Sequence, residues 1–335
     1  MIRIAIDAMG GDHGPRTVVQ GALAAVRDLP LGLLLVGPLD ELERELATFG
    51  DVGSLDIRMA HAAETVGMAE APSAALRRKP GASIRVAAEA VARGDAAALV
   101  TAGNTGAAVM AAHAAFGMID GVDRPALATA VPTRTGAAVL VDVGANVECR
   151  PQHLVQFAVM GSVYARLALG VERPRVGLLS IGEEETKGNE LTREAHRLLK
   201  EAGLGFIGNV EARAVYSGSA DVIVCDGFTG NIVLKTSEGL VEMMAALFDD
   251  EVGGSKPSEA SQQVRRGLRR LRRRLDYSEY GGAPLVGVAG LTIVAHGRSS
   301  ARAVRNAVAM AYRFASGDFV RRVQEEIAAA GVPHH

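Results

Sequence analysis

The chain has 335 residues, 48% of them hydrophobic, which allows a large core in one α/β unit or in two closely joined lobes with soft boundaries. Its formal net charge of -2 at pH 7 argues against a general nucleic-acid binder, whose footprint is strongly basic. Two cysteines, Cys149 and Cys225, are too few for a disulfide framework, and neither sits in a metal-ligand spacing, so a reducing cytoplasm and no bound metal or cofactor are expected.

The first residues, Met1-Ile2-Arg3-Ile4-Ala5-Ile6-Asp7, run directly into a strand-like segment, and no secretory leader is expected. No apolar stretch reaches the roughly 20 residues that span a bilayer. Further strands are predicted over 33–36, 97–100, 137–141, 176–179 and 221–224. They read as nearly continuous apolar runs, the pattern of strands covered on both faces of a mostly parallel sheet. Helical patterns fall between them, for example 15–27 with Pro15 at its opening and 83–93 stopped by Gly94. The expected architecture is a three-layer α/β/α sandwich. Near the end, 284–288 and 291–295 read as two strands joined by a tight Ala289-Gly290 turn.

Five predicted strands end in turns rich in glycine and polar residues. They are Asp7-Ala8-Met9-Gly10-Gly11-Asp12-His13-Gly14, Thr101-Ala102-Gly103-Asn104-Thr105-Gly106, and Asp142-Val143-Gly144-Ala145-Asn146. The other two run from Ser180 through Gly182 and Lys187 to Glu190, and Cys225-Asp226-Gly227-Phe228-Thr229-Gly230-Asn231. Glycine lets a backbone approach a ligand closely, and a helix opening there points N–H groups and its positive dipole end at an anion. In an open parallel sheet such turns lie along the carboxyl edge. One turn of this kind is ordinary in any α/β protein; five with Asn, Thr, Lys or Asp beside the glycines point to an anion site. No Walker A lysine follows the glycines and no G-x-G-x-x-G follows a strand, which disfavours ATP hydrolysis and a standard dinucleotide fold. The expected ligand is a small anion.

The segments IAIDAMGGDHGP, TAGNTGA, VDVGAN, IGEEETKGNEL, ADVIVCDGFTGNIVLKTSEG and LDYSEYGGAPLVGV, followed by AHG, carry a specific resemblance. In order and spacing the chain resembles the bacterial phosphate acyltransferase (PlsX) family of phospholipid synthesis, the acyl-ACP:phosphate transacylases. The resemblance runs from residue 2 to about residue 298. It implies transfer of a fatty acyl group from acyl carrier protein (ACP) to inorganic phosphate, giving acyl phosphate. It also implies a homodimer and a fold akin to isopropylmalate dehydrogenase and phosphotransacetylase. The acyl phosphate would pass to a membrane glycerol-3-phosphate acyltransferase, so a cytoplasmic protein in peripheral contact with the membrane is expected. Ala212, Ala214 and Ser180 depart from the residues usual in that family.

Phosphate attacking a thioester needs positioning, oxyanion stabilisation and help for the departing thiolate, not a covalent enzyme intermediate. With the resemblance, these needs single out Lys187 to hold phosphate and Asn231 to donate to the thioester oxygen. Asn104, Asn146 and the backbones of Gly10, Gly11, Gly227 and Gly230 complete the expected anion site, with Thr105, Gly106 and Gly182 in the same turns. Each has an ordinary reading beside it: Lys187 as a solvated ion pair in a Glu-rich turn, Asn231 as a helix N-cap. Asp7 and Asp142 brace loops or touch substrate. His13 serves as a base, since an ordinary histidine pKa of about 6.5 suits the task, or braces a loop or stands in solvent, and His296, ahead of Gly297, is a further substrate-binding candidate. Cys225, with no His beside it, reads as core, not as an acyl-accepting nucleophile.

Residues 238–276 read as a protruding amphipathic helical hairpin. Leu240, Met244, Leu247 and Phe248 share one helical face, and Arg265, Leu268, Arg269, Leu271 and Arg272 belong to a basic second face after the linker at 253–258. Such a face fits acidic ACP, a membrane surface or a dimer partner. Two other functions compete: a phosphotransacetylase-like enzyme acting on acyl-CoA, and a non-catalytic scaffold at the membrane surface.

Overall fold

The computed structural model describes residues 1–253, 267 and 281–331. Its strands are β1 (Ile2–Asp7), β2 (Leu31–Gly37), β3 (Ile57–His61), β4 (Ala98–Thr101), β5 (Ala126–Pro132), β6 (Ala137–Val141), β7 (Val176–Leu179), β8 (Phe206–Val210), β9 (Val222–Val224), β10 (Ala283–Val286) and β11 (Leu291–Val294). They join in one sheet in the order β3-β2-β1-β4-β11-β10-β5-β6-β9-β7-β8. The helices that matter here are α1 (Gly14–Asp28), α2 (Leu39–Ala47), α3 (Pro72–Arg78), α4 (Ser83–Ala92), α5 (Thr105–Phe116), α6 (Pro151–Tyr164), α7 (Glu190–Glu201), α8 (Gly227–Gly253), α9 (Ala301–Ser316) and α10 (Phe319–Ala330).

Alternate strand residues feed two separate cores. Ile4, Ile6, Leu33 and Leu35 pack with α1, α2, α6, α7, α9 and α10 on one face. Ala5, Leu34, Val36 and Leu99 pack with α3, α4 and α5 on the other. With both faces covered, the strands have no solvated side, which is why their sequences read as apolar runs. The three-layer sandwich is therefore as expected, and so is the antiparallel β10–β11 pair.

Three strands were not legible. β3 and β8 are edge strands with half-exposed faces, and β8 carries Gly208 at φ +99. β5 is central but reads Ala-Leu-Ala-Thr-Ala-Val-Pro, a composition poor in strand formers.

The larger difference is direction. β10 runs antiparallel to both β11 and β5, and β5 antiparallel to β6, while the other pairings are parallel. Three reversals in a row turn β6, β7, β8 and β9 against β1 to β4. The five glycine-rich turns therefore do not share one carboxyl edge. Those after β1 and β4 sit at one edge with the end of β11, and those after β6, β7 and β9 sit at the opposite one.

Most of the predicted hairpin, including Arg265, Leu268, Arg269, Leu271 and Arg272, lies outside the described residues; only its first arm, the distal part of α8, is described.

Candidate active site

At the first edge, the turns after β1 and β4 are locked together by a buried acid. The Asp7 carboxylate accepts from Ser83 Oγ at 2.6 Å and Thr101 Oγ1 at 2.7 Å, and only 2% of the residue is exposed. Burial raises its pKa, against the pull of those two hydroxyls. A Cβ on Gly10 would stand 2.7 Å from Gly103 N, so only glycine lets the two turns touch. Asp12 N donates to Gly297 O at 2.8 Å, adding the end of β11 to the cluster.

Asn104 is the N-cap of α5: its Oδ1 accepts from Ala107 N at 3.1 Å. Its Nδ2 faces the carbonyls of Gly67, Met68 and Glu70 at 3.0–3.3 Å. Both ends of the amide are thus committed to fastening the 67–70 loop, and its N–H donors are not turned to a ligand. Thr105 is exposed and Gly106 half-buried at the first turn of α5. His13 is exposed ahead of α1 without capping it. His296 Nδ1 accepts from Arg298 N at 3.1 Å, and its Nε2 lies 3.4 Å from Lys235 Nζ. Partial burial, then the Lys235 charge, lowers the His296 pKa.

At the opposite edge, Asp142 is fully buried and holds five N–H donors. Oδ1 accepts from Leu127 N, Gly144 N and Ala145 N at 2.9–3.1 Å, and Oδ2 accepts from Asn146 N and Asn146 Nδ2 at 2.8 Å. Burial pushes its carboxyl pKa up while the donors pull it down. Asn146 Nδ2 also donates to Pro125 O at 2.7 Å, so this asparagine too is a brace.

Helix α8 starts against that turn. Gly227 N donates to Asn146 O at 2.7 Å, and a Cβ on Gly230 would overlap the Asp142 carbonyl oxygen. These glycines are needed for helix-to-turn contact. The helix cap is Asp226, whose Oδ1 accepts from Thr229 N and whose Oδ2 accepts from Thr229 Oγ1, both at 2.8 Å. Asn231 is therefore not the N-cap. It stands one turn in, exposed, beside Gly144, with no hydrogen-bond partner among the described residues.

Lys187 is also exposed, on the turn after β7, folded over the buried Gly182. Two neighbouring acids are paired elsewhere, Glu185 with Lys200 at 2.8 Å and Glu183 with Arg213 at 3.9 Å, while Glu184 also approaches Gly182. Lys187 itself makes no ion pair among the described residues, so the solvated-pair reading does not hold. Ala212 and Ala214 fall in a short 3-10 turn, Ala212–Tyr216.

The structure thus sorts the sequence candidates. Asp7, Asn104, Asp142 and Asn146 are buried braces, with both carboxylates and both amide Nδ2 groups engaged, whereas Lys187 and Asn231 are exposed and uncommitted. Lys235, missed in the sequence, joins the two edges: α8 begins at the Asp142 turn and reaches His296 one turn past Asn231. Its only sequence signal was its place in the GFTGNIVLK segment. Cys225 is buried, its Sγ donating to Asp142 O at 3.5 Å; burial and then Asp226 and Asp142 push its thiol pKa well above 9.0. That is the reverse of an activated nucleophile. Among the described residues no cluster of His, Cys, Asp or Glu could hold a metal, and no helix is long and apolar enough to cross a membrane.

The sequence pattern of the family described as Fatty acid synthesis protein matches residues 2–322. The phosphate acyltransferase of Heliobacterium modesticaldum is 50% identical over 329 residues, covering 97% of this chain and 98% of its own. That of Desulforamulus reducens is 46% identical over 327 residues, covering 98% of each chain. In fold, the chain is similar to a phosphotransacetylase from Streptococcus pyogenes, with TM-score 0.66 at 16% identity over 94% of each chain. It is also similar to a putative 4-hydroxythreonine-4-phosphate dehydrogenase from Salmonella typhimurium, with TM-score 0.54 at 14% identity over 93% of this chain and 99% of that one.

Proposed function

Because the chain belongs to the phosphate acyltransferase family of transferases, we propose that it moves a fatty acyl group from ACP to inorganic phosphate, releasing acyl phosphate for phospholipid synthesis. The observation that supports the residue assignment is the free amide of Asn231, held over Gly144 at the head of α8 while Asn104 and Asn146 are engaged as braces.

In this reading a phosphate oxygen attacks the thioester carbonyl carbon. A C–O bond forms, the carbonyl pair moves onto oxygen, and collapse breaks the C–S bond; the pair leaves on sulfur, which takes a proton from solvent. Asn231 Nδ2 donates to the developing oxyanion, the position at which a fixed donor contributes most. Lys187 holds phosphate and offsets the charge gathered in the transition state. Gly182, Gly227 and Gly230 keep the backbones close enough to frame that space. Gly10, Gly11, Thr105, Gly106, His13 and His296 form a second anion-facing cluster, tied to the first through Lys235. Asp7, Asp142, Asn104 and Asn146 hold both clusters in shape.

The homodimer, contact with ACP and peripheral contact with the membrane belong to the same proposal. Leu240, Met243 and Leu247, each more than half exposed at 51%, 53% and 56%, support an associating surface on distal α8. Acyl phosphate made there would pass to a membrane glycerol-3-phosphate acyltransferase.

The test is phosphate-dependent thiol release with acyl-ACP and acyl-CoA offered separately. The proposal expects release from acyl-ACP with phosphate present, slowed in Lys187→Ala. Release from acyl-CoA alone would support a phosphotransacetylase-like donor instead, and no release from either would leave only a scaffold at the membrane.

A further inference from the structure

Large apolar side chains stand in solvent on the very turns that carry the uncommitted polar groups. Val147 is 69% exposed, Ile181 81%, Phe228 58% and Ile232 49%. Val147 follows the brace Asn146, Ile181 opens the turn that carries Lys187, and Phe228 and Ile232 flank Asn231. They are neighbours in space as well as in motif. The hydrogen bond from Gly227 N to Asn146 O, at 2.7 Å, sets Val147 and Phe228 each one residue from a shared contact. Phe228 and Ile232 are four apart on α8 and share a helical face. β7 and β9 run side by side and parallel, Leu178 pairing with Val224, so the turns that follow them, with Ile181 on one and Phe228 on the other, leave the sheet at the same edge. Scattered surface hydrophobes need no explanation, but four exposed ones on adjoining turns at one sheet edge do.

We propose that Val147, Ile181, Phe228 and Ile232 form the surface that receives the acyl chain of the donor, and so set chain-length preference. The inference rests on the acyl-transfer reading above. A thioester carbonyl facing Asn231 must lay the carbons next to it within one helical turn of that residue, where Phe228 and Ile232 stand exposed on α8, with Val147 and Ile181 on the turns beside it. The occupant is hydrocarbon because the patch offers no charge of its own, while the phosphate is accounted for by Lys187.

The experiment compares hexadecanoyl-ACP with octanoyl-ACP for wild type, Phe228→Ala and Ile232→Ala, following thiol release at saturating phosphate. Each variant should lower kcat/KM for the hexadecanoyl donor by about tenfold, the scale of lost methylene contacts in an apolar site. The octanoyl value should fall less, and KM for phosphate should stay unchanged. Both side chains are exposed, so melting temperatures should match the wild type; if Ile232→Ala melts early, Phe228→Ser carries the comparison. An unchanged hexadecanoyl-to-octanoyl ratio in the variants overturns the inference, and so does an equal fall with both donors. Sedimentation velocity adds a third overturning outcome: variants that dissociate with the ratio intact would show that a second copy of the chain covers this patch. A wild type that releases no thiol with phosphate fails the acyl-transfer reading itself, which is a different result from an active wild type with an unchanged ratio.

Discussion

Asn231 lies over Gly144: its Oδ1 is 3.7 Å from where a Cβ on residue 144 would stand, and its Cβ and Cγ are 3.8 Å away. Gly144 has φ +139, a region that strains any L side chain, and its N–H is held by Asp142 at 3.1 Å. The glycine thus keeps the turn both close to Asn231 and out of its way. Gly144→Ala should lose about 1 kcal/mol or more of stability from the backbone alone. The new methyl would meet Asn231 only at ordinary contact distance, 3.7–3.8 Å, so any fall in kcat should come from the strained turn shifting beneath that amide. Urea unfolding and steady-state kinetics on one preparation check the two effects separately.

Exposed, uncommitted groups should be separable from folding. Asn231→Ala removes a single donor from the proposed oxyanion site, and kcat should drop on the order of 100- to 1000-fold. Lys187→Ala should raise KM for phosphate and lower kcat/KM by about 10- to 100-fold, the scale of a charge-assisted hydrogen bond. Neither should move the melting temperature by more than about a degree, since neither side chain has an intramolecular partner among the described residues. A large loss of Tm in either variant would recast that residue as structural.

The braces should behave in the opposite way. Asp142→Asn replaces one acceptor with a donor. The oxygen now facing Asn146 N and Asn146 Nδ2 accepts both at 2.8 Å, and one face or the other of the new amide must leave N–H groups unsatisfied. Each buried orphan costs about 1–3 kcal/mol, so the variant should unfold at markedly lower urea. Activity per folded molecule is the secondary readout, lost only as the turn loses shape.

What the sequence made legible follows the same division. Continuous apolar runs exposed β1, β2, β4, β6, β7 and β9 because burial on both faces leaves its mark on every residue of a strand. Strand direction leaves no such mark: nothing in Ala126–Pro132 says that β5 runs antiparallel on both sides, so the two-edge arrangement was not visible. The motifs located the site loops but not the duties within them. Asn104 and Asn231 look alike in sequence, each beside a glycine at a helix start. Only the carbonyls of residues 67, 68 and 70, far away in the chain, show that the first is a fastener. Lys235 was overlooked for the same reason: its pair with Glu238, three residues on at 2.8 Å, is an ordinary helix contact, and its approach to His296 spans 61 residues of chain.

Cys225 gives a prediction about mechanism. Its thiol is buried, donates to Asp142 O and is pushed well above 9.0, and Cys149 is pushed up to about 12 by burial with Asp142 and Asp226 adding to it. Both shifts disfavour the thiolate a covalent route would need, in keeping with the proposed direct attack by phosphate. Cys225→Ala should keep kcat within a few-fold of wild type. Mass spectrometry of the enzyme quenched during turnover should find no acyl adduct on either cysteine.

Asp7 gives a prediction about pH. Its carboxyl is buried under the β1 and β4 turns, held by the Ser83 and Thr101 hydroxyls and the Met9 backbone N–H, and burial outweighs them and raises its pKa from the ordinary 3.8. A folded-state pKa above the unfolded one means that the native protein binds this proton more tightly. The stabilisation from that proton is fully present below pH 3.8 and is lost as pH rises through the folded value, so this site alone makes stability fall as pH climbs above about 4. Surface carboxylates lowered by ion pairs, such as Asp221 with Arg175 at 2.9 Å, act in the opposite sense and lose stability toward acid. The two are separated by comparison, not by the wild-type curve alone. Asn at position 7 still accepts from one hydroxyl and donates to the other, but does not titrate. The difference in unfolding free energy, wild type minus Asp7→Asn, should therefore decline as pH rises from about 4 and then level off. A difference that stays flat, or that grows with pH, would show that Asp7 ionises freely beneath its turn.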